Sequence, residues 1–278
     1  MPEPARTVVF FHAHPDDEAI FTGGTMALLA AAGWRVVLVV ATAGEQGLSS
    51  AGIGPEVPLA VRRMGETARA AECLGAQRIE FIGYHDSGVE DRGLTGTATG
   101  RPVGAFADAP VEEAAARLAA ILIEEGARAL VSYDGRGIYG HVDHVQVHLV
   151  GMTAAREAAV STVYEATVDR EYLHFVETHL VVEATIATQP ERRELGLGLA
   201  AAPLGLSTVE VDCTVDVRSV LPVKRQAMSA HASQIPETSS AMRLPDADFA
   251  AVYGYEWYAR RGPAGPIDQL ISGGVAGR

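Results

Sequence analysis

The stretch Thr7-Val8-Val9-Phe10-Phe11-His12-Ala13-His14-Pro15-Asp16-Asp17-Glu18 decides how this chain is read. Thr7 to His12 is an apolar run without alternation, the pattern of a strand buried on both faces. The polar burst that follows ends the strand, and Glu18 to Ala32 has helical spacing. Working outward, Arg35 to Ala43 is a second buried strand, Ala60 to Leu74 a helix closed by Gly75, and Arg78 to Tyr84 a third strand. Val111 to Glu125 reads as a helix ended by Gly126, Arg128 to Asp134 as a fourth strand, and Val142 to Ala159 as a helix. The order β-α-β-α-β-α-β-α predicts an α/β fold: a Rossmann-like, mostly parallel sheet flanked by helices. Ligands of such sheets sit beyond the carboxyl ends of the strands.

Beyond Thr162 the pattern loosens. Val163 to Val168 and Ser207 to Val215 read as strands with a polar helical stretch between them, and Val217 to Gln234 reads as a helix. The expectation is a single domain over residues 1–278: a core at 1–160, a smaller C-terminal α+β extension at 161–262, and a loose tail at 263–278. Glu45 to Pro58 and Gly88 to Pro110 are rich in Gly, Pro and Ser, and are predicted as long loops near the ligand edge.

Composition narrows the partners. With 35 Asp and Glu against 22 Lys and Arg, the net charge of −13 opposes binding to nucleic acid or to an anionic membrane. No apolar run reaches the roughly 18 residues of a membrane span. Cys73 and Cys213, the only two cysteines, are too few for a disulfide framework and read as core thiols of a cytoplasmic protein. No heptad or apolar stripe marks an interface, so a homo-oligomer stays open.

Two clusters carry chemistry. His14, Asp16 and Asp17 fall within four residues at the end of the first strand, where a carboxylate and an imidazole can face one metal while a second carboxylate points at its open side. One Asp capping the next helix would explain one residue of the group, not all of them. Tyr139-Gly140-His141-Val142-Asp143-His144 follows the fourth strand, with His141 and His144 three apart on one helical face and His148 beyond. Five of the nine histidines, at 12, 14, 141, 144 and 148, lie in these two segments on the same predicted edge. Two His and one carboxylate suit catalytic zinc and hydrolysis; ferrous iron also fits that donor set. His12-x-His14-x-Asp16 nearly matches the metal motif of the metallo-β-lactamase fold, but Asp17 stands where that motif has His and the β-sandwich pattern is missing. An iron oxygenase triad normally sits in an all-β jelly roll, which the βα alternation opposes.

The two clusters together resemble the LmbE/PIG-L superfamily of zinc-dependent de-N-acetylases: His14-Pro15-Asp16-Asp17-Glu18 after one strand and His141-x-Asp143-His144 after a later one. Gly44-Glu45-Gln46-Gly47, Arg63-x-x-Glu66 and Tyr84-His85-Asp86-Ser87-Gly88 match further landmarks, the last similar to the mycothiol-pathway deacetylases. Lys224, His231 and Gln234 fall in the C-terminal pattern of the family. The resemblance implies that His14, Asp17 and His144 hold Zn2+ and that Asp16 is the general base. It implies that Tyr139 stabilises the oxyanion, and that His141, oriented by Asp143, stabilises or protonates the intermediate. Arg63 and Asp86 would contact the sugar, and Glu45 would support them or stand as a solvated loop acid. The chain departs from the family at Val142, where many members have Pro, and at Ile138, which replaces a common Gly. The expected activity is removal of an acetyl or acyl group from the amide nitrogen of a small N-acetylated amino sugar or glycoside. A mycothiol S-conjugate amidase or secondary-metabolite deacylase is the alternative within the class, and a non-catalytic metal- or sugar-binding module the alternative outside it. Trp34 is expected to pack, and Trp257 to pack or to stack on a sugar ring.

Overall fold

Cover on both faces is what lets the strands dispense with alternation. Every residue of β1 (Thr7–His12) is buried, and β2 (Arg35–Thr42) exposes only its first. The computed structural model describes residues 6–47, 57–88, 100–176 and 204–273. It adds β3 (Arg78–Tyr84), β4 (Ala129–Tyr133), β5 (Val163–Thr167), β6 (Cys213–Asp216) and β7 (Tyr255–Arg261) in one sheet of order β3-β2-β1-β4-β5-β7-β6. The strands from β3 across to β5 are parallel; β7 is antiparallel to both β5 and β6. The chain leaves β1 in one direction along the sheet and β4 in the other, so a crevice opens between their carboxyl ends. Both chemical clusters follow those two strands.

Among the described residues the longer helices are α1 (Gly23–Ala31), α2 (Leu59–Cys73), α3 (Val111–Glu124), α4 (Val142–Glu157), α5 (Leu221–Ala230), α6 (Asp246–Tyr253) and α7 (Pro266–Gly273). α3 packs on α4, while α5 packs on both α1 and α2. The C-terminal third therefore shares the sheet, through β6 and β7, and the helical layer, through α5.

Several expectations change. The helix predicted from Glu18 opens as a π-helical turn, Glu18–Thr22, before α1. Ser207 to Val215 is not one strand: a capping box between Ser207 and Glu210 folds Thr208–Glu210 into a 3-10 turn, and β6 starts only at Cys213. The helix expected over Val217 to Gln234 shortens to α5, with Pro222 in its first turn and its end at Ala230. The tail at 263–278 contains α7, which seats Ile267 in the core; the Asp268 carboxylate accepts from the Gly265 amide and the Tyr164 hydroxyl. Strand β7 was not expected, because Tyr255-Glu256-Trp257-Tyr258 buries its charge and so hides the alternation. Parts of both predicted loops (48–56 and 89–99) and most of the polar stretch (177–203) lie outside the described residues.

Candidate metal-dependent active site

The β1 loop is held open by side chains rather than by regular structure. Asp16 adopts φ +103°, a backbone region that non-glycine residues occupy at a cost of about 1–3 kcal/mol. Three contacts hold it. Asp16 donates its amide to Glu18 Oε2 (3.0 Å), Gln234 donates to the Pro15 carbonyl (2.7 Å), and buried His231 lies 2.5 Å from Glu18 Oε1. Residues just past α5 thus brace the first loop.

In that loop, Asp17 Oδ2 lies 3.5 Å from Nδ1 of His14 and 3.3 Å from Nε2 of His144. Tetrahedral ligands about 2.0–2.1 Å from a zinc ion stand about 3.3–3.4 Å apart, so these spacings fit the edges of such a site. His14 is oriented from behind: its Nε2 is 3.1 Å from Asp143 Oδ2 and 3.5 Å from Asp86 Oδ1. Burial disfavours the charged ring, yet Asp143, Asp17 and Asp86 outweigh it and raise the His14 pKa above the usual histidine range. Such a surplus of carboxylates suits a cation. His14, His141 and His144 also bring ring nitrogens within 4.8 Å of one another, as does the set His14, Asp86, His141 and Asp143 with its carboxylate oxygens.

The second cluster owes its position to a strained turn. Gly137 (φ +64°) and Ile138 (φ +63°) both have positive φ, and the buried Ile138 side chain anchors the bend. Tyr139 then extends to place its hydroxyl 3.2 Å from His144 Nε2. Burial of the hydroxyl end and the nearby Asp17 raise the Tyr139 pKa above the usual tyrosine range, so it remains a donor. His141 is the N-cap of α4: its Nδ1 accepts from the Asp143 amide at 3.2 Å. That bond leaves the proton on Nε2 of the neutral ring. Burial and the flanking His14 and His144 push the His141 pKa down to about 4. Asp16 is pushed up to about 8, by burial and by the adjacent Asp17 carboxylate.

One expected relationship changes. The Asp143 carboxylate does not orient His141; it accepts from His14 and from Ser87, through both the amide and the hydroxyl of Ser87, and only the Asp143 backbone touches His141. A carboxylate at the first turn of α4 is aimed back towards β1, which sequence spacing could not show. Ser87 was legible only as part of the Tyr84 to Gly88 motif.

The remaining residues form a polar flank at the ends of β2 and β3. Asp86 is buried beside His14, and its carboxylate also accepts from the Gly88 and Gln46 amides. Glu45 Oε1 accepts from the Asp86 amide and lies 2.5 Å from exposed His85. It braces the Asp86 turn. Arg63 is buried and donates to the Gly44 carbonyl, and Glu66 accepts from the amide and hydroxyl of Ser233. A Cβ on Gly44 or Gly47 would push the Arg63 guanidinium aside, and Gly44 at φ +66° also holds a conformation that favours glycine. His148 lies apart, bonded to the Tyr133 carbonyl and paired with Glu165; His12 is buried between Tyr133 and Thr22. Trp34 and Trp257 are both buried.

Known proteins share this architecture. The fold resembles N,N'-diacetylchitobiose deacetylase from Pyrococcus horikoshii, with a TM-score of 0.54 and 19% identity over 93% of this chain and 84% of that one. It also resembles an A40926 pseudoaglycone deacetylase, with a TM-score of 0.59 and 16% identity over 95% and 100%. A 4-carboxy-2-hydroxymuconate hydratase from Pseudomonas putida matches with a TM-score of 0.53 at 18% identity, so the fold alone does not name a reaction. In sequence, the chain is 35% identical to a 1D-myo-inositol 2-acetamido-2-deoxy-alpha-D-glucopyranoside deacetylase of Salinispora arenicola, over 97% of this chain and 92% of the relative. A Thermobifida fusca protein of the same name is 31% identical over 96% and 99%. Residues 9–155 match the PIG-L family, described as GlcNAc-PI de-N-acetylase. Through that match, and through identity extending along nearly the whole chain, this protein belongs to the PIG-L de-N-acetylase family.

Proposed function

We propose that this protein is a metal-dependent hydrolase that removes the acetyl group from the amide nitrogen of an N-acetylated amino sugar or glycoside. The observation that carries the reading is that Asp17 Oδ2 stands at tetrahedral edge lengths from both His14 Nδ1 and His144 Nε2. The other groupings are less suited. Asp86 and Asp143 already accept several N–H or O–H bonds, and His141 uses Nδ1 as a cap. His14, Asp17 and His144 would therefore hold the ion, with zinc the natural choice and ferrous iron compatible. When bound, a divalent cation supplies Lewis acidity that polarises an amide carbonyl and makes water more acidic.

The residues of the chain do the rest. Asp16, ionised once a cation offsets its neighbour Asp17, takes the proton of the attacking water. As water adds to the carbonyl carbon, the Tyr139 hydroxyl and the Nε2–H of His141 donate to the oxygen that gains charge. The C–N bond then breaks, the nitrogen takes the proton that Asp16 received from the water, and acetate and a free amine leave. The relatives named above are named for deacetylating an inositol 2-acetamido-2-deoxyglucopyranoside, so that N-acetylated glycoside heads the substrate panel. The two free thiols suit a reducing cytoplasm.

The test is amine release from N-acetylglucosamine and its inositol glycoside by protein stripped with chelator, then restored with zinc or ferrous iron. Activity is expected to vanish and return with metal. Asp16→Asn is expected to lower kcat by about 10²–10⁴-fold while metal content stays at the wild-type level. Near-native turnover of that variant would remove Asp16 as the base.

A further inference from the structure

The carboxyl edge of the sheet changes character along its length. At the β3 and β2 end it carries Asp86, Glu45 and Arg63, and at β1 and β4 the His14, Asp17 and His144 cluster. At the β5 and β7 end lies a cavity of about 340 Å³, within the range of small-ligand pockets. Phe21, Tyr139, Val168, Leu173, Tyr253 and Trp257 form its apolar wall. The charged residues on that wall, Lys224 and Glu256, neutralise each other at 2.6 Å. Glu256 is further bonded by the Gly24 and Thr25 amides and the Tyr258 hydroxyl, so it is already satisfied without a ligand. What the cavity offers a ligand is apolar surface.

Tyr139 belongs to both regions: its hydroxyl meets His144, and its ring borders the cavity beside Phe21, whose ring centroid is 6.3 Å from that of His144. An amide carbon carries its nitrogen and its acyl substituent on opposite sides. With the carbonyl between His144 and Tyr139 and a polyhydroxylated amine towards Asp86, the acyl substituent is directed to the cavity. We infer that this cavity is an acyl subsite, and that the enzyme hydrolyses amides of straight-chain acyl groups longer than acetyl. This rests on the amide-hydrolase reading above.

Burying one more methylene is worth about fourfold in affinity. The experiment measures kcat/KM for N-acetyl-, N-butyryl- and N-hexanoylglucosamine with the metal-loaded enzyme, scoring glucosamine as their common product. The hexanoyl-to-acetyl ratio is expected to exceed one, and to fall at least tenfold in Val252→Trp, which fills the cavity from α6. Trp257 fluorescence in metal-free protein gives an independent readout, with the hexanoyl amide expected to perturb it at lower concentration than the acetyl amide. Hydrolysis of the acetyl amide with a ratio well below one, unchanged in Val252→Trp, would overturn the subsite and spare the amidase. No hydrolysis of any amide, with preferential binding of the hexanoyl compound, would overturn the amidase and leave the cavity as an acyl-binding site. Neither hydrolysis nor binding would overturn both.

Discussion

Asp143 Oδ2 meets Nε2 of His14 at 3.1 Å, across 129 positions of sequence. This bond ties the β4 cluster to the β1 cluster and fixes which nitrogen of His14 is left to face Asp17. Carboxylates in this position orient a ligating imidazole and raise its basicity. Asp143→Asn is therefore expected to weaken metal affinity by about 10–100-fold, measured by competition with a chromophoric chelator. An unchanged affinity would mean that His14 needs no such partner.

His231 acts on the site without reaching it. Its ring bonds Glu18, whose other oxygen holds the strained Asp16 amide. His231→Ala is expected to lower kcat by an order of magnitude or more, with KM and metal content close to wild type. His231→Gln, whose amide can still donate to Glu18, should recover part of the loss. A parallel rise in KM, or no recovery, would point to general loosening of the loop instead.

The Lys224–Glu256 pair is only 1% exposed on each side and joins α5 to β7. Removing one member strands a buried charge, at a cost of about 3–5 kcal/mol. Lys224→Met should lower the urea midpoint accordingly, and the double change Lys224→Met with Glu256→Gln should lose less. Equal losses would show that the pair carries no uncompensated charge when broken.

His148 supplies a pH signature of stability. Glu165 holds its ring charged and raises its pKa above the ordinary 6.5, burial opposing. A raised native pKa favours folding fully below pH 6.5 and loses that contribution as pH rises through the native value. The stability advantage of the wild type over His148→Gln should then be larger at pH 5.5 than at pH 9, read from urea midpoints. An advantage that does not vary with pH would mean that folding leaves the pKa of the ring unchanged.

How far the sequence foretold the molecule differs between its halves. From Thr7 to Thr167, uninterrupted apolar strands and glycine-ended helices gave the element order, and the ligand edge followed from topology. The clusters could be placed there because His14 and Asp17 follow the end of β1, and His144 opens the helix that follows β4. Beyond that point local chemistry competed with periodicity: the Ser207–Glu210 capping box interrupts an apolar run, and Glu256, buried with Lys224, disguises β7. Long-range pairings such as Asp143 with His14 and His231 with Glu18 depend on tertiary packing and leave no spacing to read.

The reversed direction of β7 has a consequence for how this enzyme can diverge. Because β7 runs against β5, the start of β7, at Tyr255 and Trp257, lies beside the end of β5, on the same edge as the histidines. Residues before Thr167 hold the reacting groups, while those after Leu204 furnish much of the apolar wall. Much of the apolar wall and the reacting groups thereby lie in separate stretches of one gene, tied together by His231 and Gln234. Grafting the later stretch from a relative should transplant its preference among acyl groups as long as His231 and Gln234, which brace the β1 loop, are kept.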